Sequence, residues 1–313
     1  MNLKTDYMGM QLQSPLIASA SPMTADLPSL LLLQEAGAGA VVLPSLFAEE
    51  IDTAPAKYLD LVRRAVDELD VPVIASLNGG SAASWMNYAR QLEDAGAHAL
   101  ELNIYFVASD LALDGHAVEQ CYLEIVHAVR YAIRIPIAVK LSPYFSAPGH
   151  FAIELAQAGA NAVVLFNRFY QPDIDTVRLK IRHNLELSRS SEMRLPLLWT
   201  AILHGNITAS LAASTGVQTT DDVLQYLLAG ADVVMTTSAL LRHGAGHMRT
   251  LVDGLASWLE RRGMDSPARM RGMLSQGNTT HPEAYQRANY IKVLESYGHK
   301  TGGDPALANG AIR

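Results

Sequence analysis

One cysteine, Cys121, is all that 313 residues provide, which excludes an internal disulfide and any metal or iron–sulfur centre held by cysteine alone. The ten histidines fall in neither a His-x-His nor a His-Glu-x-x-His spacing, so no metal site is expected. A Gly-x-Ser-x-Gly turn is also missing, and with it that type of hydrolase nucleophile. Positive charge is scarce: 24 lysines and arginines face 31 acidic residues, for a net charge of −7 without any basic block. That balance argues against a nucleic-acid-binding surface. Long hydrophobic runs are absent, and the opening MNLKTDYMGM has no apolar stretch of the signal-peptide kind. No membrane contact is expected, and the chain reads as a soluble cytoplasmic protein.

Apolar residues are plentiful by contrast. At 49% hydrophobic the chain can bury a large core. The tripeptide Ala-Gly-Ala recurs at 36–38, 95–97, 158–160 and 229–231, each time after a helical pattern and before an apolar strand: AVVLPS, ALELNIY, AVVLFN and VVMTTS. Glycine just past a helix end suits the left-handed cap, and small neighbours let helix and strand pack closely. The spacing of about 60–70 residues is that of two βα units, so four copies imply roughly eight units. Further strands fill the gaps at PLIASAS (15–21), VPVIASLN (71–78), IPIAVKLS (135–142) and ASLAAST (209–215). Apolar strands alternating with amphipathic helices mean a parallel sheet buried on both faces, here a TIM (β/α)8 barrel of the α/β class with active groups at the strand C-terminal ends. The barrel is expected over residues 1–262. Residues 1–13 read as a hairpin plugging its bottom, and the polar segment 170–198 as a lid or insertion above it. Helical patches at 267–275 and 281–297 make a C-terminal extension over 263–297, and 298–313 reads as a disordered tail.

Polar residues at the strand ends narrow the chemistry. Ser214-Thr215-Gly216-Val217 follows one strand and Thr236-Thr237-Ser238 the next. Glycine lets the backbone approach a bound group, and the N–H groups of such turns can face an anion. Two adjacent turns of this kind near the end of a βα series form a phosphate cradle, or else two ordinary βα turns. Lys140 ends an otherwise apolar strand, where an ammonium needs an anion or acceptor. That partner is either a ligand or a carboxylate such as Glu101. Asn78, Asn103 and Asn167 stand at three strand ends; their amides both donate and accept, which suits a planar heterocycle, although each singly also suits a turn. His98 and His127 are read as packing residues, and His204 and His243 as lying near the phosphate end.

Taken in order, SPLIASAS, ELN, AVKLSPYF, LFN, STGV and TTSALL resemble the FMN-dependent dihydroorotate dehydrogenases of class 1, over about residues 3–260, with AGADVVMTTSALL the most specific part. The resemblance implies bound FMN. It places Lys140 by the reactive edge of the flavin, Asn103 and Asn167 on flavin and substrate, and Ser19 and Ala20 at a strand-one contact. Thr215, Gly216 and Val217, with Thr237 and Ser238, would hold the phosphate. A cation near the N1/O2 side stabilises the anionic reduced flavin. Lys140 and Asn103 are thus the expected catalytic residues, and Asn78, Asn103 and Asn167 the expected contacts of a small planar substrate that exchanges hydride with flavin N5. The resemblance also implies a homodimer. A separate redox partner would suit a chain with no cysteine cluster.

The substrate half departs from the family pattern. Asn103 is followed by Ile104-Tyr105-Phe106, which puts Phe106 where the family carries its catalytic base. Strand alternation would point Tyr105 to the opposite face, leaving Ser109, Asp110 or His116 in the following loop as substitutes. Pro44 stands where the family has a second lysine, and Glu49 to Pro55 runs straight into a helix where the family has a substrate loop. Loss of a positioned base typically costs about 10²–10⁴-fold, so poor turnover of dihydroorotate itself is expected. Two rival readings stand beside this one. The same losses would suit a non-catalytic FMN-binding regulatory or assembly protein. A flavin-free barrel for a sugar phosphate would leave Lys140 and the asparagines unexplained.

Overall fold

A computed structural model describes residues 1–47, 55–78, 82–168, 172–182 and 184–285. An antiparallel hairpin comes first, β1 (Thr5–Tyr7) and β2 (Met10–Leu12). Six barrel strands follow: β3 (Leu16–Ala18), β4 (Ala40–Phe47), β5 (Val73–Asn78), β6 (Ala99–Asn103), β7 (Ile137–Leu141) and β8 (Ala162–Leu165). A second hairpin, β9 (Asp173–Asp175) and β10 (Lys180–Arg182), precedes the last two barrel strands, β11 (Ser210–Ala213) and β12 (Val233–Thr236). The eight parallel strands close in chain order, β12 pairing with β3. Outside them run α1 (Leu27–Glu35), α2 (Pro55–Glu68), α3 (Ala82–Asp94), α4 (Gly115–Ala132), α5 (Pro148–Gln157), α6 (Arg194–Leu203), α7 (Thr220–Ala229), the short α8 (Ser238–His243) and α9 (His247–Arg261). The expected TIM barrel is the fold.

Period-two alternation sorts every strand into two environments. On β6 Leu100 and Leu102, and on β7 Ile137, Val139 and Leu141, join the shell between strands and helices. Ala99 and Ala138 belong instead to the barrel interior, with Ile17, Val42, Ile74, Val164, Val233 and Met235. By the same alternation Glu101, Asn103 and Lys140 also face inward. Tyr7, Met8 and Leu12 of the first hairpin complete this interior cluster. The hairpin is pinned by Met8 N donating to Ser210 Oγ (3.1 Å) and Thr5 Oγ1 donating to the Asp232 carbonyl (3.1 Å). The barrel is therefore plugged at its N-terminal end, and its polar interior groups lie toward the other.

The four Ala-Gly-Ala copies precede β4, β6, β8 and β12, every second barrel strand. Gly230 shows why glycine is needed: its φ is +126°, and a Cβ there would lie 2.4 Å from the His204 side chain. His204 Nδ1 sits 3.0 Å from the Gly230 carbonyl. This corrects the expectation for His204, which lies at the strand-start end because it caps α6 before β11 begins. His98 is exposed and not a packing residue, but its role is structural as expected, its Nδ1 accepting from Val73 N at 3.1 Å.

Two segments differ from expectation. The excursion after β8 ends sooner than residue 198, since α6 starts at Arg194, and it contains the β9–β10 hairpin. Beyond α9 the chain makes a single 3₁₀ turn at Pro267–Arg269 where a longer helical patch was expected over 267–275; of the second expected patch, 281–297, only the 3₁₀ turn Pro282–Tyr285 lies among the described residues. Pro267, and Gly272 at φ +72°, interrupt a longer helix over 267–275. Gly272 N, Leu274 N and Gln276 N instead donate to the carbonyls of Leu227, Leu228 and Ala201, each at 2.9 Å. Residues 286–297, the expected tail 298–313 and the stretch between β4 and α2 lie outside the described residues. Among the described residues no helix is long and apolar enough to cross a membrane.

Candidate functional site

At the strand C-terminal ends the inward polar residues meet. Register pairs Asn103 of β6 with Lys140 of β7. Asn167 Nδ2 donates to Asn103 Oδ1 at 2.6 Å, and Asn103 Nδ2 donates to Ser45 Oγ at 2.9 Å. The Ser45 and Ser76 hydroxyls are 2.8 Å apart, and Asn78 Nδ2 donates to the Asn103 carbonyl at 2.8 Å. Half-buried Tyr58 supports the row from outside, its hydroxyl accepting from Ser76 N (3.1 Å). The Asn167 and Asn103 amides are thus linked directly, and Asn78 is tied to the Asn103 main chain.

Lys140 reaches this group from β7. Its Nζ lies 3.4 Å from Ser19 Oγ and 3.4 Å from Glu101 Oε1, with side-chain exposures of 10% for the lysine and 1% for the glutamate. Both partners foreseen for the ammonium are compatible: a carboxylate lies behind it and a cavity in front.

The paired turns stand on the far side of that cavity. Gly216 has φ +80°, and so, unusually for a β-branched residue, does Thr215. Thr215 Oγ1 donates to the Phe166 carbonyl at 2.9 Å, while the Tyr226 hydroxyl lies 3.1 and 2.8 Å from the carbonyls of Ser214 and Thr215. Asp222 accepts from Gln218 N and Thr219 N, both at 2.9 Å, which fixes the start of α7. With their carbonyls held from behind, the turns can present N–H groups forward. A Cβ on Gly216 would lie 2.5 Å from Met193 Cγ and 2.9 Å from the Arg189 carbonyl, so the excursion is what crowds this glycine.

A cavity of about 290 Å³ is lined by Ser19, Ala20, Lys140, Asn167, Thr215, Gly216, Val217, Thr237 and Ser238 among others. Asn103 joins it through Asn167, and Asn78 stands one step further back. A second cavity of about 670 Å³ shares Phe166, Asn167, Arg168, Leu185, Glu186 and Thr215 with the first and adds Tyr105, Tyr144, Asp173 and Glu192. Tyr105 lines this cavity, which corrects the expectation that it points away: counted from inward-facing Asn103, period two keeps Tyr105 on the inward side, and it is Phe106 that packs against the core. Ser109, Asp110 and His116 are exposed and line neither cavity.

Ser188 was not foreseen. It accepts from Gly216 N at 3.3 Å, its hydroxyl is 2.8 Å from that of Ser238, and Arg242 Nη1 donates to its carbonyl at 2.8 Å. Its distance along the chain from both turns and its polar surroundings gave no signal. Among the described residues no cluster of metal-ligating side chains occurs.

Comparison with known proteins adds a family. The family model described as dihydroorotate dehydrogenase matches residues 48–259. A protein of Aeropyrum pernix, provisionally named dihydroorotate dehydrogenase A (fumarate), is 31% identical over 207 residues, which cover 64% of this chain and 66% of the relative. The dihydroorotate dehydrogenase B (NAD(+)) catalytic subunit of Thermoplasma acidophilum is 26% identical over 83% of this chain and 94% of its own length. The protein of the same name from Methanothermobacter thermautotrophicus is 26% identical over 87% and 98%.

Proposed function

Because the chain belongs to the dihydroorotate dehydrogenase family, we propose that it is an FMN-dependent oxidoreductase acting on a CH–CH bond of a small planar substrate. One observation carries the reading: a nearly buried ammonium, an asparagine amide and two donor turns line a single cavity. That donor set fits FMN. Gly216 N and the Thr237 and Ser238 hydroxyls would take the phosphate, which would replace the Ser188 hydroxyl as acceptor of the Gly216 N–H. Ser19, Ala20 and Asn167 would flank the ring system. When bound, FMN would supply hydride chemistry at N5. Lys140 would hold the negative charge of the reduced cofactor, and the Asn167–Asn103 chain, with Asn78 behind it, would orient the substrate.

The larger cavity is the proposed substrate chamber, and its size falls in the ~300–1,000 Å³ range of small-molecule pockets. Its charges disfavour a carboxylate ligand. Arg168 already donates to Glu192 Oε1 (3.1 Å) and to the Glu186 carbonyl, and Asp173, Glu186 and Glu192 stand in the same wall. Phe106 packs against the core and can move no proton. Both features support poor turnover of dihydroorotate and an uncharged substrate. Exposed Ile174, Val177, Leu179 and Ile181 on the β9–β10 hairpin support a homodimer, and the lone cysteine supports a separate redox partner.

Titrating FMN into apoprotein while following flavin fluorescence tests the cofactor. Saturable quenching at one equivalent is expected; fluorescence no different from free FMN would return the barrel to sugar-phosphate chemistry.

A further inference from the structure

We infer that Glu101 is a positioning residue that fixes the Lys140 ammonium and, through it, lowers the reduction potential of the cofactor in the adjoining cavity. The inference rests on the flavin reading proposed above. Glu101 is 0% exposed on the inward face of β6, and its Oε1 lies 3.4 Å from Lys140 Nζ. Its Oε2 is buried with no hydrogen-bond partner among the described residues. Around it the interior is mostly alanine and aliphatic side chains, closed below by Tyr7, Met8 and Leu12; Ser76, its neighbour on β5, has its hydroxyl engaged with that of Ser45. Such an interior has no packing need for a carboxylate, and an ionised one is costly there unless paired.

Lys140 is the pairing group. Tyr7 and Tyr58 are coupled to Glu101 but do not compensate its charge: burial first, with the charge of Glu101 adding to it, holds both phenols above their usual range and therefore neutral. Asp232, at the strand-start end, has Arg271 as its own partner. The Lys140 ammonium is thus held between Glu101 behind and Ser19 beside it, both at 3.4 Å, at the wall of the 290 Å³ cavity.

The geometry has a sign. A lone ammonium at that wall would strongly favour extra negative charge in the cavity, and so would favour the reduced over the oxidised cofactor. A carboxylate 3.4 Å behind it cancels much of that field. Glu101 therefore narrows the difference in affinity between the two redox forms, which is the same as lowering the potential.

The test is the midpoint potential of bound FMN, read by equilibration with a redox dye, together with the dissociation constant of oxidised FMN. Glu101→Gln keeps the shape and removes the charge. It should bind the two-electron-reduced form at least tenfold more tightly relative to the oxidised form, a rise of about 30 mV. Glu101→Asp, which restores the charge, should reverse at least half of that rise. Should Glu101→Gln fail to fold, Glu101→Met carries the same expectation. An unchanged or lower potential in the charge-free variant, or Glu101→Asp matching Glu101→Gln, would overturn the inference while leaving the flavin reading intact. A wild-type protein that binds no FMN would overturn both.

Discussion

Replacing Lys140 by Met removes the ion-pair partner of a carboxylate that is 1% exposed. At 3.4 Å and an effective dielectric of ~20, the attraction lost is about 5 kcal/mol. Stranding one member of a buried pair costs about 3–5 kcal/mol in practice. The opposite change is milder. Glu101→Gln leaves an ammonium that keeps the Ser19 hydroxyl and can lean toward the cavity, so about 1–3 kcal/mol is expected. The double variant strands no charge, and a coupling of about 2–3 kcal/mol should appear in the cycle. Urea unfolding of cofactor-free protein, with m unchanged, measures all four corners without a ligand contribution. A Lys140→Met cost smaller than that of Glu101→Gln, or additivity within about 0.5 kcal/mol, would refute this account of the pair.

Other perturbations probe the turns and the excursion. Gly216→Val forces a β-branched residue into φ +80° against Met193 and Arg189; FMN binding should be lost and protease cleavage of segment 185–193 accelerated, and intact FMN affinity would count against the cradle. Gly230→Ala places a methyl 2.4 Å from His204 and should lower stability by about 2–4 kcal/mol, read as a urea midpoint shift. Hydrogen bonding to Arg182, more than any other cause, holds the Asp173 carboxyl below its usual range. A lowered folded value means stabilisation that is complete above the ordinary carboxylate range and lost as pH falls through the lowered value. The protection factor of the Ile181 amide (intrinsic over observed exchange rate), on the residue that pairs with Ile174, should therefore fall in acid, and Arg182→Ala should abolish that pH-dependent component. A pH-independent opening of the hairpin in wild type would contradict the assignment.

Much of this architecture could be read before any coordinates. The Ala-Gly-Ala repeat marked every second strand because the helix-to-strand turn needs a left-handed residue with small neighbours. Lys140 stood out since no apolar strand carries an ammonium without a partner. Glu101 was foreseen only as one option for that partner, because sequence gives the period along β6 but not which strand lies beside it. Tyr105 was misjudged because alternation was counted from the base position at Phe106 and not from Asn103, which faces inward. Ser188 and Met193 were illegible, as their meeting with Gly216 depends on how the excursion folds back. Pro267 and Gly272 do mark where a helix over 267–275 must break, but hydrophobic periodicity outweighed them. The family pattern guided the reading of the proposed flavin half of the site, where backbone donors and one cation would be needed. The substrate half offered little, since Pro44 and Phe106 report only what is absent.

The most direct measurement is the visible absorption spectrum of FMN-loaded protein before and after anaerobic addition of dihydroorotate. The account predicts a protein-bound flavin band that persists with dihydroorotate but bleaches with an uncharged planar CH–CH donor or a chemical reductant. Rapid bleaching by dihydroorotate would show that another group replaces the missing base and that the chamber does accept a carboxylate. No flavin band, even after FMN is added, would contradict the central claim.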